Sequence, residues 1–247
     1  MERAQADARQ AIALAPELAE GHLALAKFSL ATLHFEQANQ AFERALALAP
    51  GNAAVLDLYG RFAIFLLRTD AGIASARHAV TLDPLNPAIR RHLGYALIAA
   101  RRYPEAIAAH QGALALDPDS TTDHAFLGIA YYILGDLKSA QASCDVKSNE
   151  NQWLWVCLAM TYDKLGRRAD AQAELTKIQS ALGDAAAYQF AQIYAQWANR
   201  PKALEWLDIA MRLRDSGLQQ IKADPLMDPL RKEPRFQTIE RELRFPN

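Results

Sequence analysis

Apolar residues recur along most of the chain at steps of three and four, as in Phe35, Ala38, Phe42 and Ala45, which places them on one face of a helix rather than of a strand. The pattern also repeats over a much longer interval. Pro16, Pro50, Pro84 and Pro118 stand 34 residues apart, and the last three close the strings ALALAP, VTLDP and ALALDP. A proline removes a backbone donor and clashes with the preceding turn, so each is expected to end a helix.

Two further columns hold the same register. A bulky residue followed by a small one recurs at Leu25-Ala26, Tyr59-Gly60, Leu93-Gly94, Leu127-Gly128, Leu158-Ala159 and Phe190-Ala191. Twelve residues after each small position comes another, at Ala38, Gly72, Ala106, Ala140, Ala171 and Ala203. Small residues at fixed offsets mark places where two helices cross closely. Turn residues fall between the halves at Gly135-Asp136, Gly166-Arg167 and Asn199-Arg200-Pro201. Each unit is therefore expected to be a helical hairpin, and the chain an all-α solenoid.

Both columns are spaced 34, 34, 34, 31 and 32 residues apart, so one count describes six units, at about 17–50, 51–84, 85–118, 119–151, 152–183 and 184–217. The step of 31 is three short, close to one helical turn, and predicts a shortened second helix near Ala140 to Val146.

At this length and with these columns, the chain resembles the tetratricopeptide repeat. The stretches HAFLGIAYYILGDLKSAQAS and WLWVCLAMTYDKLGRRADAQAEL carry that family's leucine-glycine, tyrosine, glycine and alanine signature in order. Gly72 and Ala76 depart from it, and the fourth unit lacks a terminal proline. The resemblance implies a right-handed superhelix whose concave face is built from the first helix of each unit.

Residues 1–16 read as the second helix of a truncated repeat, with Ala4, Ala8, Ala11 and Leu14 in core columns, as though the chain began inside a longer protein. Residues 218–247 change character, with two Asp-Pro pairs that suit helix starts. A last helix near Arg235 to Leu243, burying Phe236, Ile239 and Leu243, is expected to cap the stack. The run DPLMDPLRKEPRF, after ALEWLDIAMRLRDSGL, is similar to C-terminal repeat regions of bacterial signalling proteins. In those, the effector is a class III adenylate or guanylate cyclase, a winged-helix regulator or a Ser/Thr kinase. The resemblance implies a sensory or docking region, and none of those effector motifs occurs here.

Composition narrows the function classes. With 27 basic against 28 acidic residues the chain offers no basic stripe for phosphates, so nucleic acid is not an expected partner. No apolar run suffices for a membrane span and the start lacks a signal-peptide core, which points to a cytoplasmic protein. Cys144 and Cys157 read as small core fillers. The six histidines occupy repeat columns, with His22 and His124 in one and His110 in another, and read as packing or edge positions. Trp197 and Trp206 read as packing residues.

No HExxH, GxSxG, phosphate loop or CxxC is present, so catalytic residues, metal ligands and cofactors are all expected to be none, and the chain not to be an enzyme. The expected function is recognition of a protein or peptide segment on the concave face, through Arg61, Phe65, Arg91, Tyr95, Tyr132, Trp153 and Met160. The partner on this reading is a protein, the chain's own effector domain included. The chaperone-binding carboxylate clamp is not expected, because Leu23 and Lys27 stand at its first-helix positions. Alternatives are the regulatory portion of an effector enzyme, or a scaffold that self-associates.

Overall fold

The computed structural model describes residues 2–146 and 151–246. It contains a leading helix α1 (Glu2–Leu14) and six helical hairpins. These are α2 (Ala19–Ala31) with α3 (Phe35–Leu48), α4 (Ala53–Phe65) with α5 (Thr69–Leu82), and α6 (Pro87–Ala99) with α7 (Tyr103–Leu114). They continue with α8 (Thr121–Leu134) and α9 (Leu137–Cys144), α10 (Gln152–Lys164) and α11 (Arg168–Leu182), and α12 (Ala187–Gln196) and α13 (Arg200–Leu213). A last helix, α14 (Pro234–Glu242), follows two short 3-10 segments, Ser216–Gln220 and Pro225–Leu230. No strand occurs among the described residues. The end of the fourth unit, at 147–150, lies outside them.

Local chemistry explains where helices start and turn. Two residues after each of three prolines, a short polar side chain caps the next helix: Asn52 accepts from Ala54 N at 2.9 Å, Asn86 from Ala88 N at 3.1 Å, and Ser120 from Asp123 N at 3.3 Å. Proline stops one helix and the cap starts the next. Within each hairpin the chain reverses through one residue of positive φ, at Leu33, Leu67, Arg101, Gly135, Gly166 and Ala198. The following amide then reaches back to the carbonyl five residues before it, as His34 N does to Ser29 O at 2.8 Å and Asn199 N to Tyr194 O at 2.9 Å. This closing bond satisfies a carbonyl that the helix end would leave unpaired. Glycine serves only the fourth and fifth turns; the other four hold a side chain in the left-handed region, which costs each about 1 to 2 kcal/mol.

The small columns lie at the helix crossings. Ala26, Ala38, Ala106, Ala140, Ala159, Ala191 and Ala203 are all fully buried. A Cβ on Gly94 would come within 2.6 Å of His110 Nε2, and one on Gly60 within 2.9 Å of the Gly72 carbonyl. His110 is thus a packing group. Its Nδ1 meets Asp123 Oδ1 at 2.9 Å, and burial pulls its pKa below the ordinary range.

The two cysteines correct the sequence reading. They are buried, but Cys144 at the end of α9 and Cys157 in α10 form a disulfide across neighbouring units. Gly128 of α8 faces both sulfurs, and any side chain there would collide with them. The shortened α9, of 8 residues, ends at this bond.

The C-terminal region does more than cap the stack. Phe236 and Ile239 of α14 are fully buried and Leu243 nearly so, as the spacing predicted. Residues 216–230, however, lie along the first helices of successive hairpins. The far end returns to the first hairpin, where Phe245 stacks on Phe35 with ring centres 4.1 Å apart and Arg214 donates to the Thr32 carbonyl. The superhelix is closed on itself, with its own chain inside.

Candidate functional site

The inner face is built from α4, α6, α8, α10 and α12, which equal repeat spacing sets side by side. Four rings on successive helices form a ladder across it. Phe65 meets Tyr95 edge-on at 6.1 Å, Tyr95 meets Phe126 edge-on at 5.4 Å, and Phe126 meets Trp153 at 5.5 Å. Edge-to-face contacts of this kind add to the burial of the rings themselves. The ladder fixes the floor of the groove.

Over this floor runs the segment 216–230, held chiefly by apolar burial. Leu218, Ile221, Met227 and Leu230 are fully buried, three residues apart but for the place of Asp224 between them. A 3-10 turn has three residues per turn, so this spacing keeps one edge against the helices. Polar groups fix the register. Tyr188 OH donates to Asp224 Oδ2 at 2.9 Å and Gln192 Nε2 to the same oxygen at 2.7 Å. Gln196 Nε2 donates to the Leu226 carbonyl at 2.6 Å, and Arg101 to the Ala223 carbonyl at 3.2 Å and to Asp228 at 2.7 Å. The groove thus reads the backbone as well as the side chains of a segment in 3-10 and turn conformation.

Burial raises the Asp224 carboxyl above its ordinary range, which the bonds from Gln192, the Leu226 amide and Tyr188 offset only in part. It also pushes the Tyr188 and Tyr95 phenols well up. Asp123 goes the other way: burial raises it, but bonds from His110, Ser120 and Arg91 outweigh that and hold it low.

The structure divides the residues expected on the concave surface. Arg61, Phe65, Arg91, Tyr95 and Trp153 border one recess of about 270 Å³, which Gln219 and Gln220 of the inner segment close on one side. Phe65, Tyr132 and Met160 are buried, so they do not present a surface to a partner. Phe65 supplies the floor of the recess. Tyr132 donates to Gln196 Oε1 at 3.1 Å beside Leu226, and Met160 lies in the core between the hairpins. Arg91 is committed to its own fold, giving Nε to Asp123 at 2.7 Å and Nη2 to Ser120 at 2.9 Å. Tyr95, Trp153 and Arg61 are half-buried.

Phe126, Thr122 and His92 also border the recess and escaped the sequence reading. Phe126 carries a visible signal, since it precedes the Leu127-Gly128 pair one turn after Thr122. Gln219, Gln220 and Asp224 were missed because nothing in the repeat register places the tail inside the superhelix.

Among the described residues no group of three or more His, Cys, Asp or Glu side chains is placed to hold a metal ion. No helix among them is long and apolar enough to cross a membrane. The arrangement offers apolar enclosure, amide and guanidinium donors, and a recess.

No protein-family profile matches the chain, and no curated protein matches it. Solved structures do. The fold is similar to that of a thermophilic tetratricopeptide-repeat protein of Thermus thermophilus, at 20% identity and a TM-score of 0.62 over 80% of this chain and 98% of that one. It is similar to PilF of Pseudomonas aeruginosa, at 20% identity and a TM-score of 0.58 over 72% of this chain and 83% of that one. It is also similar to a chain of the Cut9–Hcn1 hetero-tetramer, at 16% identity and a TM-score of 0.67 over 98% of this chain and 45% of that one. The fold is that of an all-α tetratricopeptide-repeat solenoid. At these identities the likeness is one of fold.

Proposed function

We propose that the chain is a protein-interaction module that holds a short polypeptide segment on its inner face. The observation that carries this is the occupancy of that face by residues 216–230, whose carbonyls at Ala223 and Leu226 take donors from Arg101 and Gln196. A floor of rings in edge-on and tilted contact keeps the ordering cost of binding low. A partner segment engages the open edge of the groove beside the inner segment, where Arg61, Tyr95 and Trp153 are reachable. Phe65, Tyr132 and Met160 support that surface from beneath.

The resemblance of 203–236 to repeat regions of bacterial signalling proteins makes the chain the sensory or docking part of such a protein, with its effector domain among the candidate partners. That one structural neighbour is a subunit of an assembly with another protein, Hcn1, agrees with a docking role. The test is affinity capture by the intact chain, compared with an Arg61→Glu and Trp153→Ala double variant of unchanged circular dichroism. A partner retained by the native chain and lost by the variant supports the reading. Equal capture by both removes the inner face from it. Self-association is the second reading, and a mass that rises with concentration in light scattering would favour it.

A further inference from the structure

The recess beside the inner segment has a chemistry that the bonds holding residues 216–230 do not use. Two guanidiniums and an imidazole border it, and no carboxylate does. Two of those groups are satisfied within the fold: Arg91 pairs with Asp123 at 2.7 Å, and His92 Nδ1 meets Asp57 Oδ2 at 2.7 Å. Arg61 is not. Asp57, one helical turn before it on α4, gives one oxygen to His92 and keeps the other buried without a partner, so it makes no bond to Arg61. Among the described residues Arg61 makes neither an ion pair nor a hydrogen bond, and its Nε is buried without a partner. A guanidinium drawn partly out of water with unused donors is costly, and a bound anion removes that cost.

The remaining walls specify more than charge. Tyr95, Phe126 and Trp153 present ring surface, while Gln219 and Gln220 add amide groups on the opposite side. A volume of about 270 Å³ lies near the lower end of small-molecule pockets, which run from about 300 Å³ upward. We propose that this recess binds a small planar organic carboxylate, its carboxylate on the Arg61 guanidinium and its apolar ring against Phe126 and Trp153. A carboxylate matches the planar fork of a guanidinium, and a flat ring makes the best use of aromatic walls. The inference goes beyond the docking of a polypeptide and fails separately from it, because partner capture and small-acid binding are measured independently.

The test is isothermal titration of the full chain with phenylacetate and indole-3-acetate, with their uncharged amides, and with inorganic phosphate. One aromatic acid binding at a single site, with its amide and phosphate each at least about tenfold weaker, is the expected result. Arg61→Gln should weaken that acid by about tenfold or more, and Trp153→Leu should weaken it while leaving the fold intact by circular dichroism. The proposal is overturned if neither acid binds at millimolar concentration, if phosphate binds as well as the acids, or if both variants bind as the native chain does.

Discussion

Tyr188 and Asp224 meet inside the closed superhelix, the phenol donating to Oδ2 at 2.9 Å with both side chains buried, and this joins the sixth hairpin to the segment that fills the groove. Gln192 and the Leu226 amide donate to the same carboxyl at 2.7 and 2.8 Å. Burial nonetheless dominates and raises the Asp224 pKa in the folded state. The folded chain therefore binds this proton more tightly than the unfolded chain does. The stability it contributes is present below the ordinary carboxylate pKa and is lost as pH rises through the raised folded value.

Other groups titrate as well, Asp123 with the opposite sign, so the informative quantity is a difference. Arg231 lowers the Asp224 carboxyl, and the phenols of Tyr188, Tyr95 and Tyr103, which also interact with it, are raised and stay neutral in this window. Urea denaturation from about pH 4 to pH 8 should show the advantage of the native chain over Asp224→Asn shrinking as pH rises. A flat difference would mean that Asp224 keeps an ordinary carboxyl pKa in the fold, and a growing one that the fold lowers it.

The hairpin turns give a second expectation. Ala198 is exposed and sits at φ 58°, in the column where the fourth and fifth units use Gly135 and Gly166. Glycine there removes the left-handed cost of about 1 to 2 kcal/mol but adds freedom to the unfolded chain worth about 0.4 to 1 kcal/mol. The first effect wins narrowly. Ala198→Gly should raise stability by up to about 1 kcal/mol, read as a higher urea midpoint with an unchanged slope.

These turns also show how far the sequence speaks for the fold. The 34-residue register located the buried columns because a close crossing admits only a small residue, and Gly94 against His110 is such a contact. Phe65, Tyr95 and Trp153 came together because the repeat register sets their helices side by side, although the three stand at different offsets from the small residues Gly60, Gly94 and Ala159. Met160 is buried by packing between the hairpins, but Phe65 and Tyr132 lost their exposure for a reason outside the register, since the chain returns over its own inner face. Its signal was the step of three at Leu218, Ile221, Asp224, Met227 and Leu230, which matches neither an α-helix nor a strand and fits a 3-10 edge. The disulfide escaped because a sequence separation of 13 hides that Cys144 and Cys157 lie on adjacent helices.

The disulfide makes a further difference measurable. Closing a short loop of this kind removes freedom from the unfolded chain worth roughly 3 kcal/mol. Cys144→Ser with Cys157→Ser also leaves two hydroxyls in an apolar crossing beside Gly128. The double variant should lose at least about 2 kcal/mol by chemical denaturation. Thiol alkylation of the unfolded, unreduced native chain should label neither cysteine, and full labelling would show that the bond does not form.

The last expectation concerns what holds residues 216–230 in place, because two kinds of contact compete for the credit. Arg101 reaches across to Asp228 at 2.7 Å, but both side chains are more than a third exposed, and a pair in that setting contributes about 0 to 1 kcal/mol. Met227, within the segment itself, is fully buried in the core it shares with the hairpins, and truncating such a side chain to alanine costs about 2 to 5 kcal/mol. Burial should win. Met227→Ala is therefore expected to loosen the inner segment more than Arg101→Ala does, although Arg101 makes the more conspicuous long-range bonds. Hydrogen exchange separates local release from global destabilisation, because the amides of 216–230 would lose protection while those of α6 and α10 kept theirs. Released segments should also leave Tyr132 and Gln196 open to solvent, and binding of an apolar dye should rise with Met227→Ala alone. If Arg101→Ala frees the segment and Met227→Ala does not, the polar anchors hold it, and the groove is a polar surface for its own chain rather than an apolar one.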